Sequence, residues 1–157
     1  MTIVRHALAR DKKSWPGPDV ERPLAPFGER QAAGMAPVLL RHKVRRIISS
    51  PAVRCIQTME PLAAAADVPI ELWDELGRDA NATESLMACF TDPQYHNAVL
   101  CTHGEVLHQL LLVENVRRIA RRGRFSTRRL LIKGSAWRLE ITSSGRVSKL
   151  NHLRPIK

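Results

Sequence analysis

Short apolar runs that stop on polar, chemically active residues and are followed by helix-length stretches constrain this chain more than any other feature. Thr2-Ile3-Val4 leads into Arg5-His6-Ala7. Arg46-Ile47-Ile48 leads into Ser49-Ser50-Pro51-Ala52-Val53-Arg54. Val99-Leu100-Cys101-Thr102 leads into His103-Gly104-Glu105. Strands alternating with helices predict an α/β fold with helices on both faces of a mostly parallel sheet, a three-layer α/β/α sandwich. In open sheets of this kind the chemistry sits at the carboxyl ends of the strands. Those ends here bring two histidines and two arginines.

The first strand is read over residues 2–6. Residues 8–27 are rich in proline, lysine and aspartate and have no helical period. They read as a long surface loop near the first strand end, the sort of segment that shapes specificity. Helices are read over Pro26–His42, Pro51–Ala66, Thr83–Phe90 and Gly104–Val113. Pro37 is expected to kink the first or end a turn of it, Pro61 interrupts the second, and Thr83 reads as the N-cap of the third. Further strands are read over Val44–Ile48, Ile70–Leu72 and Ala98–Thr102. The tail changes character: Arg129–Lys133, Ala136–Ile141 and Val147–Leu150 read as short strands of a closing meander, with Ser143-Ser144-Gly145 as a hairpin turn. A chain of 157 residues is expected to form one domain over 1–157, long enough to bury a real core. Beginning so close to its first strand, the sequence suits either a small native enzyme or a domain of a longer chain.

The formal net charge is +10 and the sequence pI about 10.5. That balance suits a nucleic acid, an acidic lipid or a polyanionic small substrate. Much of it lies in Arg117, Arg118, Arg121, Arg122, Arg124, Arg128 and Arg129. These seven read either as a solvated helix end and loop or as a groove for a phosphate-rich ligand or acidic partner. Aromatic residues are only 4% of the chain, which leaves little for bases to stack on and weighs against a dedicated single-stranded nucleic-acid binder. Cys55, Cys89 and Cys101 are odd in number and lack metal-ligand spacing, so they read as small core residues in a reducing compartment. No signal peptide is visible and no apolar run approaches about 20 residues. A cytoplasmic location without a membrane partner is therefore expected, and oligomeric state is left open.

An arginine beside a histidine at a strand end suits an anion. The guanidinium grips phosphate in a fork, and a neutral imidazole can attack it. Lys12 and Lys13 in the loop read as contacts to a distal phosphate or as solvated side chains. Ser50 reads as a helix N-cap or as a hydroxyl offered to an anion.

Together with Arg22-Pro23-Leu24, Gly28 and Gln31, these motifs in this order resemble the histidine phosphatase superfamily, the phosphoglycerate mutase-like proteins, over nearly the whole chain. The Arg-His-Ala form is similar to the short bacterial branch, which includes the SixA phosphohistidine phosphatases and the C-terminal domain of mycobacterial Nudix proteins of the MutT1 type. Trp15-Pro16-Gly17-Pro18-Asp19 and Lys133-Gly134-Ser135-Ala136-Trp137 look most like the latter, although no Nudix box is present. The resemblance implies a phosphoglycerate mutase-like fold and a two-step phosphoryl transfer through a phosphohistidine. It makes His6 the nucleophile and His103 a second catalytic histidine that donates to phosphoryl oxygens. Arg5 and Arg54 take the phosphate clamp, while Lys12 and Arg22 are substrate-binding candidates at the entrance; Arg22 alternatively pins the loop. Fixed cations on the equatorial oxygens lower the barrier, so neither a metal nor another cofactor is expected.

One departure bears on the substrate. Larger members of the family place a glutamate after the third strand as general acid, whereas this chain reads Glu75-Leu76-Gly77-Arg78-Asp79, with Arg78 in that register. Glu75, Asp79 and Glu84 are the alternative acids. Loss of the acid favours good leaving groups such as phosphohistidine, acyl phosphates and phosphoanhydrides over alkyl esters, whose leaving oxygen needs a proton. The expected partner is a phosphorylated small molecule, a nucleotide or a phosphoprotein. Two other readings stay open: a degenerate member that binds nucleotide or protein without turnover, and a basic nucleic-acid-binding protein built on the arginine cluster.

Overall fold

Ile3 and Val4, Ile47 and Ile48, and Val99 and Leu100 are adjacent pairs in which both residues are buried. Successive strand side chains point to opposite faces, so each of these strands is covered on both sides. The computed structural model describes residues 1–123, 125 and 131–154. Strands β1 (Thr2–Arg5), β2 (Arg46–Ser49), β3 (Ile70–Leu72), β4 (Ala98–Thr102), β5 (Ala136–Ile141) and β6 (Val147–Leu153) form one sheet in the order β3-β2-β4-β1-β5-β6. The first four in that order run parallel. β5 lies antiparallel to β1, and β6 antiparallel to β5.

Helices α1 (Pro26–Leu40) and α2 (Val53–Ala66) cover one face. Met35, Leu39, Met59 and Leu62 pack there on Val4, Ile47 and Val99. Helices α3 (Thr83–Thr91), α4 (Gly104–Leu112) and α5 (Glu114–Arg122) cover the other. Leu86, Phe90, Val106, Leu110 and Val116 pack there on Ile3, Ile48 and Leu100. Each such side chain contributes roughly 1.5–3 kcal/mol through burial. The result is the three-layer α/β/α sandwich with a mostly parallel sheet.

Several elements differ from the sequence reading. β1 ends at Arg5, so His6 lies just beyond the strand. β2 is shifted to Arg46–Ser49, and β6 runs on to Leu153. Pro37 and Pro61 lie inside α1 and α2, and both helices continue through them; the packing of their apolar faces outweighs one lost backbone bond. Thr83 is the first helical residue and Ala82 holds the cap position, without a side-chain bond. The helix read over Gly104–Val113 is present as α4 and ends where Val113 is extended (ψ 121°); α5, over Glu114–Arg122, follows as a helix the sequence reading did not include. Residues 131–133 of the expected strand Arg129–Lys133 form a turn, while Arg129 and Leu130 lie outside the described residues. The Ser143–Gly145 turn is present, closed by Thr142 N–H donating to the Arg146 carbonyl (2.9 Å).

The loop of residues 8–25 is tied at its neck. Arg10 N–H donates to the Pro23 carbonyl and Ala25 N–H to the Leu8 carbonyl, both at 2.9 Å. Gln31 Oε1 accepts from Leu8 N–H (3.0 Å) and Gln57 Oε1 from Leu24 N–H (2.8 Å). Gly28 is required here, since a Cβ on it would lie 2.0 Å from the Leu8 carbonyl oxygen.

Candidate active site

The ladder that joins β1, β4 and β2 extends one residue past the strands. His6 N–H donates to the Thr102 carbonyl and Ser50 N–H to the Cys101 carbonyl, each at 3.0 Å. This register fixes the backbones of His6, Ser50 and His103 side by side. The segment before β5 braces them from the other side. Arg5 N–H donates to the Ser135 carbonyl (3.0 Å), and Gly134, at φ +73°, donates to the His6 carbonyl (3.1 Å).

The rings of His6 and His103 meet edge to face with centroids 5.3 Å apart. His6 is 6% exposed and His103 is 2% exposed. His6 Nδ1 lies 2.8 Å from the Ala7 carbonyl. Only a donor nitrogen can face a carbonyl, so Nδ1 carries the proton and Nε2 keeps a free lone pair. Burial lowers the pKa of His6 from 6.5 to about 3, and His103, Arg54 and Arg5 push in the same direction against the Ala7 hydrogen bond. The imidazole is therefore neutral throughout the physiological range. His103 Nε2 is 2.9 Å from Ser50 Oγ, and its Nδ1 is 3.4 Å from Arg54 Nη2. Ser50 thus orients His103, while the cap of α2 is Ala52.

Arg54 is 2% exposed, and Asp19 holds it. Arg54 Nη1 donates to the Asp19 carbonyl (2.5 Å) and Nη2 to Asp19 Oδ2 (3.1 Å). Arg5 donates to the Leu131 carbonyl. The Nε atoms of both arginines are buried without a hydrogen-bond partner among the described residues, and both side chains line the cavity. Arg22 donates through Nε to Asp19 Oδ1 (2.9 Å) and through Nη1 to the Arg10 carbonyl (2.6 Å). That geometry pins the loop, while Arg22 also faces the cavity.

A cavity of about 530 Å³ opens above His6. Seven cationic side chains line it (Arg5, Arg10, Lys12, Arg22, Arg54, Arg78 and Lys133), against three carboxylates: Asp11, Asp19 and Glu105. Lys12 is an exposed member of this group. Burial lowers the pKa of Lys133, with Arg5, Arg22 and Arg54 adding to the effect, which marks how densely positive charge is gathered. No Phe, Tyr or Trp is among the described residues that line the cavity. The alternative acids lie elsewhere. Glu75 borders a separate depression with Trp73 and Tyr95, and Asp79 and Glu84 are exposed residues outside the cavity. Arg78, in the glutamate's register, does reach it, pairing with Glu105 Oε1 at 2.9 Å and lying 3.8 Å from Asp19 Oδ2. The sequence reading missed Asp19, Lys133 and Glu105 as site residues.

Residues 1–77 match the model of the histidine phosphatase superfamily, branch 1, and they contain Arg5, His6 and Arg54. Over that stretch the chain carries the signature of the histidine phosphatase superfamily. It is 30% identical over 159 aligned positions to an 8-oxo-(d)GTP phosphatase of Mycolicibacterium smegmatis, covering 98% of this chain and 47% of that protein. The chain thus spans about half the length of this curated relative. Among solved structures, the protein histidine phosphatase SixA complexed with tungstate superposes with a TM-score of 0.74 at 21% identity, covering 98% of this chain and 96% of that one. A mycobacterial glucosyl-3-phosphoglycerate phosphatase superposes with a TM-score of 0.59 at 14% identity, covering 97% and 95%. These likenesses establish the histidine phosphatase fold, and the branch similar to SixA is the one expected from the Arg-His-Ala motif.

Proposed function

We propose that this histidine phosphatase transfers a phosphoryl group to His6 Nε2 and hydrolyses the phosphohistidine without a metal ion, acting on substrates with good leaving groups. The observation that carries this reading is the buried, neutral His6, its Nδ1 against the Ala7 carbonyl at 2.8 Å and its ring among Arg5, Arg54 and His103. In the first step Nε2 attacks phosphorus as the bond to the leaving oxygen breaks. Arg5 and Arg54 hold the equatorial oxygens, where the transition-state charge gathers. His103 packs edge to face on the His6 ring and accepts from Arg54 Nη2 through Nδ1, which orients that arm of the clamp. In the second step water attacks phosphorus, the P–N bond breaks, and its electron pair returns to Nε2.

The substrate class follows from what surrounds the centre. None of Glu75, Asp79 or Glu84 faces the cavity, so the alcohol of an alkyl ester would leave without a proton from them. Phosphohistidine and phosphoanhydrides, nucleotides among them, leave more readily. Lys12, Arg10 and Lys133 suit further phosphates beyond the one at His6, and a lining with no aromatic side chain among the described residues favours recognition through phosphates over recognition through a stacked base. We assign the site to one domain spanning 1–157.

The test is phosphate release from p-nitrophenyl phosphate, whose leaving group needs little protonation, in the presence of EDTA. The expected result is turnover that survives EDTA and falls more than about 1000-fold in His6→Ala, with the variant still folded. Equal turnover in His6→Ala contradicts the reading.

A further inference from the structure

We propose that Glu105 is the base that takes the proton of the water attacking phospho-His6, and that Arg78 is its positioning residue. The inference rests on the reading of His6 as phosphoryl carrier and names the group that completes the cycle.

Of the three carboxylates in the cavity, Asp19 is engaged through both oxygens in holding Arg22 and Arg54, and Asp11 sits on the exposed part of the loop. Glu105 is held differently. It is the second residue of α4 and lies two positions after His103. Gly104 between them packs so closely on Arg5 that a Cβ would lie 2.8 Å from the guanidinium carbon. Glu105 is thereby anchored beside both the second histidine and one arm of the phosphate clamp. Arg78 Nε then fixes Oε1 at 2.9 Å. An arginine cannot release its proton to a leaving group, but it can aim a carboxylate.

The groups that face Glu105 are Arg78 from the segment after β3, Arg5 from the end of β1, Lys133 from the segment before β5, and His103 and His108 from around its own helix. A carboxylate placed among phosphate-binding cations weakens phosphate binding by repulsion, and a proton-accepting role accounts for its presence. Burial pushes the Glu105 pKa up, but its backbone hydrogen bond, Arg78 and His103 outweigh this and hold it below the usual range. At neutral pH Glu105 is therefore a base and not an acid. In the second step the water oxygen bonds to phosphorus while the P–N bond breaks and its electron pair returns to His6 Nε2. The water proton passes to the Glu105 carboxylate and from there to solvent. In the first step the ionised Glu105 has no proton to give, so the leaving oxygen departs as an anion.

Glu105→Gln keeps the side chain's volume and removes its basicity. With p-nitrophenyl phosphate it is expected to lower kcat about 100-fold, within the usual range for a general base. kcat/KM, which reports phosphorylation of His6, should stay equal or rise. One equivalent of p-nitrophenol per site should appear as a burst, with phosphoenzyme accumulating behind it. Glu105→Asp should recover part of kcat. Arg78→Met should move the acid limb of kcat to higher pH, since Glu105 loses the partner that holds its pKa down; an unmoved limb removes Arg78 from the account. An unchanged kcat in Glu105→Gln, or a parallel fall of kcat and kcat/KM without a burst, overturns the role of Glu105. If turnover that depends on His6 persists alongside either of those results, only this inference fails. If the wild type forms no phosphoenzyme while turning over, the reading of His6 itself fails.

Discussion

The fold holds His6 without a second proton, the state its proposed role as nucleophile requires. Its ring is buried, its Nδ1 is committed to the Ala7 carbonyl, and positive charge stands on two sides. The same arrangement couples the residue to stability. Folded His6 stays neutral down to about pH 3, while in the unfolded chain it takes up a proton near 6.5. Between those values the unfolded state binds more protons, so the contribution is complete above 6.5 and is lost as pH falls toward 3. Urea unfolding of the wild type is expected to lose more free energy between about pH 7 and pH 4.5 than His6→Asn, by roughly 1–3 kcal/mol. Equal losses in the two proteins would show that His6 is not held neutral. At this scale the sequence was most legible where a residue's neighbours are its own strand. Arg5, His6, Arg54 and His103 stand out because each follows an apolar run. Asp19, which grips Arg54 across 35 positions, leaves no local signal, and Ser50 stood out as a hydroxyl at a strand end while its contact to His103 across 53 positions did not. Their roles exist only once the strands are aligned.

At the scale of elements, the loop between β1 and α1 forms one wall of the cavity above His6. It reads as irregular in sequence, yet its neck is fixed by an antiparallel bridge between Ala9 and Leu24 and by Gln31 and Gln57. The close approach of α1 to Leu8 depends on Gly28 having no side chain. Gly28→Ala would drive a methyl into a backbone carbonyl that already accepts a hydrogen bond from Ala25. It is expected to destabilise the protein by about 1–3 kcal/mol, the usual range for overpacking. It should also raise KM for p-nitrophenyl phosphate. Thermal unfolding alongside kinetics tests this, and an unchanged Tm would contradict the close packing. The end of α4 was legible at Val113, whereas α5 was not read as a helix of its own, because its sequence is dominated by Arg117, Arg118, Arg121 and Arg122, with apolar positions at Val116, Ile119 and Ala120. The prolines misled in the opposite sense: both lie on helices whose apolar faces hold them in place.

At the scale of the molecule, the alternation of strand and helix was enough to give the layers, because both faces of each central strand needed cover. The sheet order, with β1 and β4 at its centre, is what brings three strand ends together, and no single segment encodes it. The three cysteines are free and buried, as small core residues are. Among the described residues no helix is long and apolar enough to cross a membrane. Positive charge is gathered in two places. One is the cavity. The other is α5, where Arg117, Arg118, Arg121 and Arg122 are exposed and Arg117 pairs with Glu114; Arg124, Arg128 and Arg129 of that cluster lie outside the described residues. The proposed catalysis runs through one covalent intermediate on His6. Enzyme turning over p-nitrophenyl phosphate should be quenched in alkali, where phosphohistidine survives, then digested and read by mass spectrometry. The account predicts a single phosphorylated peptide carrying the modification on His6, absent in His6→Ala. Sustained turnover with no phosphopeptide, or with phosphate on His103, would contradict it.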